Sequence, residues 1–291
     1  MIGSSPANSH AVALVLDLET RHAEGRAAGR LVGEVARTLP SRYIFKKTDS
    51  TLRGPIGAEL AALLEACTDR PLIYIPAYPL LGRTVRDGRL YVDGVPLEAS
   101  AFARDPLFPV RTSLIREVTG NLGPRMRICD AETEADVRAS VAAALEQSAV
   151  PLIAGPAGVV RYLAELLPLP RHRDSVAVRV TRALVLNGSA HPASLAQIAS
   201  AKPPGWTVVG ALTKDVIARE RPDALIIFGG FTAHAVLQSL GVQTLIPLGE
   251  LLPGVPVCRL GGRNLTLITK AGGYGGPNLL LEMHAALSQT W

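Results

Sequence analysis

The densest run of chemically capable side chains lies at 46–59, where the chain reads KKTDSTLRGPIGAE. Its two lysines, Arg53 and hydroxyl side chains can hold a carboxylate and sugar hydroxyls through charge-assisted and neutral hydrogen bonds. Arg21 follows the first apolar run and can bring a second guanidinium to the same sheet edge. A second set of candidates sits in three glycine-containing turns: Asn187-Gly-Ser-Ala190, Gly229-Gly-Phe-Thr232 and Lys270-Ala-Gly-Gly-Tyr-Gly-Gly276. Each follows an apolar run that reads as a strand. Such turns let a backbone approach phosphates closely, and the helix that follows each one aims unpaired N–H groups and a favourable dipole at an anion. None is a GxxxxGK[ST] loop or a GxGxxG fingerprint, so the pattern indicates neither a P-loop NTPase nor a dinucleotide fold. Ser189 lacks the flanking glycines of a nucleophile elbow, and the helix start at Pro192 accounts for His191 without a hydrolase dyad.

Other chemistries find little support. Cys67, Cys129 and Cys258 are too far apart for a CxxC knuckle, and the six histidines form neither HxxxH nor HExxH. The net charge of +5 is mild, with nine basic against five acidic residues in 178–291, and aromatic residues make up only 4%. That composition disfavours a nucleic-acid groove and suits a small anionic ligand. Only five of the 30 basic residues are lysines, and Lys46, Lys47 and Lys270 all border turn-rich sequence. The longest apolar runs are far short of the roughly 20 residues of a membrane-spanning helix, and the first ten residues lack a secretory pattern, so the expected location is the cytoplasm.

The elements that must position these residues alternate in type. Strands are expected at 11–17, 43–47, 72–76, 127–130 and 151–154, with helices at 24–39, 55–67, 134–147 and 158–167. The Asp-Gly dipeptides of 84–96 predict a hairpin decorating the sheet. After a Pro- and charge-rich stretch at 166–174, strands at 183–187, 206–210, 224–228 and 265–270 alternate with helices at 192–201, 214–220, 233–240 and 277–288. The expected fold class is therefore α/β: two domains, 1–170 and 175–291, each a mainly parallel sheet flanked by helices, with a β-hairpin insertion in the first.

Four motifs carry a resemblance. KKTDSTLRGPIGAE at 46–59, PAYPLLGRTVRDGRLYVDGVP at 76–96, DPLFPVRTS at 105–113 and AGGYG at 271–275 together resemble the four-carbon acid sugar kinase family, the ATP-dependent kinases of D-threonate, D-erythronate and related acids. The resemblance implies an N-terminal domain that binds the sugar acid, a C-terminal domain that binds ATP, and Mg²⁺-assisted phosphoryl transfer in the cleft between them. Carried over by motif, Arg21, Lys46, Asp49, Ser50 and Arg53 would hold the acid. Ser189, Gly229, Gly230, Thr232, Gly272 and Gly273 would hold the nucleotide, and Asp49 is the carboxylate nearest to a catalytic role.

The sequence departs from the family pattern in three ways. It has no Ala-Asp-Asp-x-Thr-Gly-Ala motif, so the first domain is expected to be incomplete at its N-terminus. The family's acidic residue in Gly-Gly-Asp/Glu-Thr is Phe231 here, and the nucleotide domain reads as shortened between Gln197 and Phe228. These departures leave a second reading open, a non-catalytic binding protein derived from such a kinase. A homodimer could cover the sheet flank that a missing opening strand would expose.

Overall fold

The computed structural model describes residues 13–38, 41–104, 109–147, 150–169, 178–200, 202–252, 254–271 and 274–288. The chain separates into two compact units, 1–171 and 172–291.

The first unit runs α1 (Gly25–Thr38), β1 (Ile44–Lys47), α2 (Ile56–Ala66), β2 (Leu72–Tyr74), β3 (Arg83–Arg86), β4 (Arg89–Val92), β5 (Val95–Pro96), α3 (Ile115–Thr119), β6 (Met126–Ile128), α4 (Glu134–Leu145), β7 (Leu152–Gly155) and α5 (Ala157–Leu166). Strands β1, β7, β2 and β6 form a parallel sheet in that order. Parallel strands covered by helices read as near-continuous apolar runs, and Leu72–Tyr74 and Leu152–Gly155 are buried throughout. The expected hairpin is a three-stranded antiparallel sheet, β3-β4-β5, whose first turn has Asp87 and Gly88 at positive φ.

One expected strand does not form. Residues 13–17, the described part of the 11–17 run, have no ladder partner, and Leu14, Val15 and Leu16 stay exposed. The Asp17 carboxylate instead accepts the Glu19 N–H, Glu19 turns into the left-handed region, and a short 3₁₀ turn, Thr20–His22, follows. An apolar run is strand-like only where a neighbour receives its backbone groups, and although β1 lies at the edge of its sheet, no described strand pairs with 13–17.

The second unit runs β8 (Ala183–Asn187), α6 (Pro192–Ser200), β9 (Trp206–Val209), α7 (Lys214–Glu220), β10 (Ala224–Phe228), α8 (Gly230–Leu240), β11 (Leu245–Leu252), β12 (Val255–Leu260), β13 (Thr266–Lys270) and α9 (Leu279–Ser288). Its six strands lie in the order β11-β12-β13-β10-β8-β9. The last four are parallel, whereas β11 and β12 are antiparallel additions that the sequence reading did not anticipate. β13 is consequently central, not a closing edge. β10 splits its fully buried side chains between two cores: Ala224, Ile226 and Phe228 pack with α9, and Leu225 and Ile227 pack with α8. Alternate residues of a strand face opposite sides, so helices on both faces make every β10 position apolar.

Candidate functional site

In the first unit the chemistry gathers where β1 ends. The Thr48 N–H continues the ladder by donating to the Gly155 carbonyl at 2.8 Å, after which the chain turns through 49–55 into α2. Asp49 is the hub of that turn. Its Oδ1 accepts the Thr51 N–H at 2.9 Å, the Thr51 hydroxyl at 2.6 Å and Arg53 Nε at 3.1 Å. Its Oδ2 accepts a terminal nitrogen of Arg53 at 3.1 Å and one of Arg21 at 3.0 Å. Arg53 is thus gripped as a fork and Arg21 from one side, which fixes both guanidinium planes. Burial alone would push the Asp49 carboxyl up; the hydrogen bonds from Arg53 and Thr51 outweigh it and hold the group below the usual carboxylate range. Leu52 adopts a left-handed backbone with φ 59° and is held there by burial, a strained position of the kind that clusters at functional turns.

A second ion pair lies beside the first. Lys46 Nζ meets Glu59 Oε2 at 2.9 Å, and the Thr20 hydroxyl donates to the other Glu59 oxygen. Glu59 stands in the first turn of α2, almost completely buried. The cluster therefore counts four cations, Arg21, Lys46, Lys47 and Arg53, against two carboxylates. Desolvation first, then repulsion from Arg21, holds the Lys47 ammonium below its ordinary value. A surplus of positive charge that already costs energy is a receptor for an anion. Arg53 also stacks on Phe102 at 5.4 Å and borders a cavity of about 310 Å³ shared with Pro109, Val110, Arg111 and Thr112, which belong to the DPLFPVRTS motif.

All five residues expected to hold an acid come together here: Arg21, Lys46, Asp49, Ser50 and Arg53 share the turn and its flank. Lys47, the second lysine of the motif, belongs to the same cluster, as do Glu59 and Thr20, which were not singled out. The signal for Glu59 was its place in the first turn of the helix that opens the motif.

In the second unit the three turns start from one level. Phe228 pairs in register with Asn187 on one side and Lys270 on the other, so β8, β10 and β13 end side by side. Gly188 N–H donates to the Phe228 carbonyl at 2.9 Å and Gly229 N–H to the Lys270 carbonyl at 2.9 Å, closing the ladder. Asn187 Oδ1 accepts the Ser189 N–H at 3.0 Å, and the Thr232 hydroxyl donates to the Gly188 carbonyl at 3.4 Å. The approach is so close that a β-carbon on Gly188 would overlap the Thr232 hydroxyl. Gly230, the first residue of α8, has nothing within 4 Å of its pro-β position, so that backbone faces open space. Phe231 beside it is 76% exposed. Ser189, Gly229, Gly230 and Thr232 are thus brought together, while Gly272 and Gly273 lie outside the described residues. No Ser–His dyad forms: the Ser189 hydroxyl accepts the His191 backbone N–H, and His191 Nδ1 accepts the Ala193 N–H.

Beneath the third turn lies a polar core. Lys270, 2% exposed, donates to Ser194 Oγ at 3.0 Å, Gln197 Oε1 at 2.5 Å and the Tyr274 carbonyl at 3.0 Å, and sits 4.4 Å above the Phe228 ring centroid. Its adjacency to the glycine turn marks Lys270 in the sequence; Ser194 and Gln197 give no such signal.

The comparisons with known proteins match both halves of this arrangement. Residues 2–125 match a family model described as a sugar-binding N-terminal domain, and residues 206–280 match one described as a nucleotide-binding C-terminal domain. This chain belongs to the four-carbon acid sugar kinase family. It is 28% identical to the D-threonate kinase of Bordetella bronchiseptica, covering 98% of this chain and 89% of that protein. It is 26% identical to the D-threonate kinase of Salmonella typhimurium, over 84% of this chain and 80% of that protein. Over a shorter region, 34% of this chain, it is 35% identical to the D-erythronate kinase of Heliobacterium modesticaldum. The fold is that of a solved Haemophilus influenzae DUF1537 protein, with a TM-score of 0.74 at 16% identity, covering 92% of this chain and 88% of that one. Among the described residues no helix is long and apolar enough to cross a membrane.

Proposed function

We propose that this chain transfers the γ-phosphoryl group of ATP to a hydroxyl of a four-carbon sugar acid of the D-threonate or D-erythronate type. The observation that carries the reading is the Arg21–Asp49–Arg53 clamp with Lys46 and Lys47 beside it, a surplus of positive charge built into the unit that matches a sugar-binding domain. In this reading the guanidinium and ammonium groups receive the carboxylate, and the Ser50 hydroxyl, which has no partner among the described residues, meets a substrate hydroxyl. Asp49 orients the two arginines; with both oxygens taken by arginines and Thr51, it is not the proton acceptor. The nucleotide's phosphates lie against Ser189, Gly229, Gly230 and Thr232 at the start of α8. Phosphoryl transfer requires mainly positioning and charge stabilisation, and fixed N–H and cationic groups supply both.

Among the described residues no group of three His, Cys, Asp or Glu could hold a metal by itself. A Mg²⁺ carried in with the nucleotide would neutralise charge developing on the phosphates. The experiment is ADP release from Mg-ATP with a panel of four-carbon acids. Saturable turnover with one acid supports the reading, and none above background with any acid sinks it.

A second reading, a binding protein without catalysis, draws on one observation: both carboxylates of the acid cluster are fully engaged, Asp49 by arginines and Glu59 by Lys46 and Thr20. Acid and nucleotide binding measured by calorimetry, with no ADP formed, is its signature.

A further inference from the structure

We infer that Gln197 and Lys270 are positioning residues that turn the backbone amides of Gly275 and Gly276 outward to receive a phosphate group of the nucleotide. The inference rests on the nucleotide reading of the second unit and adds a subsite and its support to it.

The observation is a convergence of carbonyls on one buried amide. Gln197, on α6, is fully buried, and its Nε2 donates to the carbonyls of Tyr274, Gly275 and Gly276 at 3.0, 2.9 and 2.9 Å. Its Oε1 is held by Lys270 Nζ at 2.5 Å, and the same ammonium reaches the Tyr274 carbonyl at 3.0 Å. This orients the amide unambiguously: with Oε1 committed to the ammonium, Nε2 must face the turn. Ser194, also fully buried on α6, takes the ammonium from a further direction.

The consequence follows from peptide planarity. No described peptide is cis, and in a trans peptide the N–H points opposite to the carbonyl of the preceding residue. The Tyr274 carbonyl faces Gln197, so the Gly275 N–H points away from it. The Gly275 carbonyl faces Gln197, so the Gly276 N–H points away too. The third carbonyl has no such counterpart, because Pro277 carries no N–H. Both glycines are exposed, and neither N–H finds an acceptor among the described residues. Two adjacent outward amides at a tight turn make a concave cradle for an anion. Gly275 is required for it: φ is +83°, and a β-carbon would lie 2.7 Å from Leu279 Cδ2. The cradle follows β13, whose neighbour β10 leads into the Gly229–Thr232 turn, so both turns leave from one level of the sheet. An anion there suits the phosphates of a nucleotide better than its base, since the groups offered are donors only.

The test uses the whole chain and two ligands, ATP and inorganic tripolyphosphate, the second having neither base nor ribose. Gln197→Glu is nearly isosteric and leaves an oxygen for Lys270, but it brings no N–H to the three carbonyls. In the folded variant the dissociation constants for both ligands should rise about tenfold or more, as expected for loss of one charge-assisted hydrogen bond. The KM for ATP should rise with them, with kcat at saturating ATP and the affinity for D-threonate held within about twofold. A folded Gln197→Glu chain that binds tripolyphosphate as the parent does overturns the inference. If that variant does not fold, the parent chain decides: tripolyphosphate should shift the amide resonances of Gly275 and Gly276, and resonances that stay put at saturation overturn the assignment. A parent chain that binds neither ligand removes the nucleotide reading and this inference together, whereas binding of ATP with an unmoved turn removes the inference alone.

Discussion

Asp49→Asn isolates the charge that the two arginines share. The substitution keeps the side-chain shape and an oxygen for Thr51, removes the negative charge, and presents an NH₂ group to guanidinium donors. The Arg21 and Arg53 side chains are 45% and 24% exposed, so water screens part of the loss. A hydrogen bond to a charged group is worth about 1.5–3 kcal/mol when well sheltered; discounting two of them for that exposure leaves a cost of about 2 kcal/mol. For a unit of this size the midpoint of thermal unfolding should fall by about 4–8 °C at pH 7. The pH dependence has a definite sign. The folded-state carboxyl is held below its ordinary value, so its contribution is complete above the unfolded-state pKa of about 3.9 and is lost as pH falls through the folded value. The gap between parent and variant should therefore close in acid. Kinetically, an orienting role predicts a KM for D-threonate raised about tenfold with a smaller change in kcat. Unfolding midpoints that coincide at pH 7 would refute the shared-charge argument. A collapse of kcat at unchanged KM would make Asp49 the proton acceptor after all.

Three other substitutions probe the same structure. Lys46→Met strands the buried Glu59 carboxylate and should cost about 3–5 kcal/mol, while the double change with Glu59→Gln should recover at least half of that in denaturant unfolding. Gly230→Val enters open space, so the free protein should melt within a few degrees of the parent, yet ATP binding by calorimetry should be lost and D-threonate binding kept. Gly188→Ala drives a methyl group into Thr232 and should cost about 1–3 kcal/mol of stability, read by urea unfolding, with weakened ATP binding.

Much of the scaffold was legible in the sequence because local patterns coincide with packing. Residues 183–187 and 224–228 are strands and 214–220 a helix as read, each a run whose apolar positions fill a core on the faces its period predicts. The failures have local causes. The stretch 245–252 carries Pro247 and Gly249 and loses its alternation at irregularities between Pro247 and Gly249 and between Glu250 and Leu252, which an outermost strand tolerates. The run at 11–17 has strand composition and no partner. Strand order is invisible to periodicity, so nothing marked β13 as central. Around the first site, the motif supplied the cations and Asp49 because they are close in sequence, but the Arg21–Asp49 pair spans 28 residues and only the fold joins it. Gln197 is the extreme case: an uncharged amide on a helix, 77 residues or more from the carbonyls it holds, with no local pattern to announce it.

The common level of Asn187, Phe228 and Lys270 turns strand length into a ruler. β8, β10 and β13 are each five residues long. Each residue adds about 3.3 Å along a parallel strand and reverses the side its neighbour faces. Deleting one residue from β10 would draw the Gly229–Thr232 turn back by about that distance, out of line with Ser189 on one side and the 274–276 turn on the other. It would also move Phe228 from one core into the other and take its ring from beneath the Lys270 ammonium. Length in these three strands is therefore far less free to drift than side-chain identity along them, and insertions and deletions belong in the connections at the opposite end of the sheet.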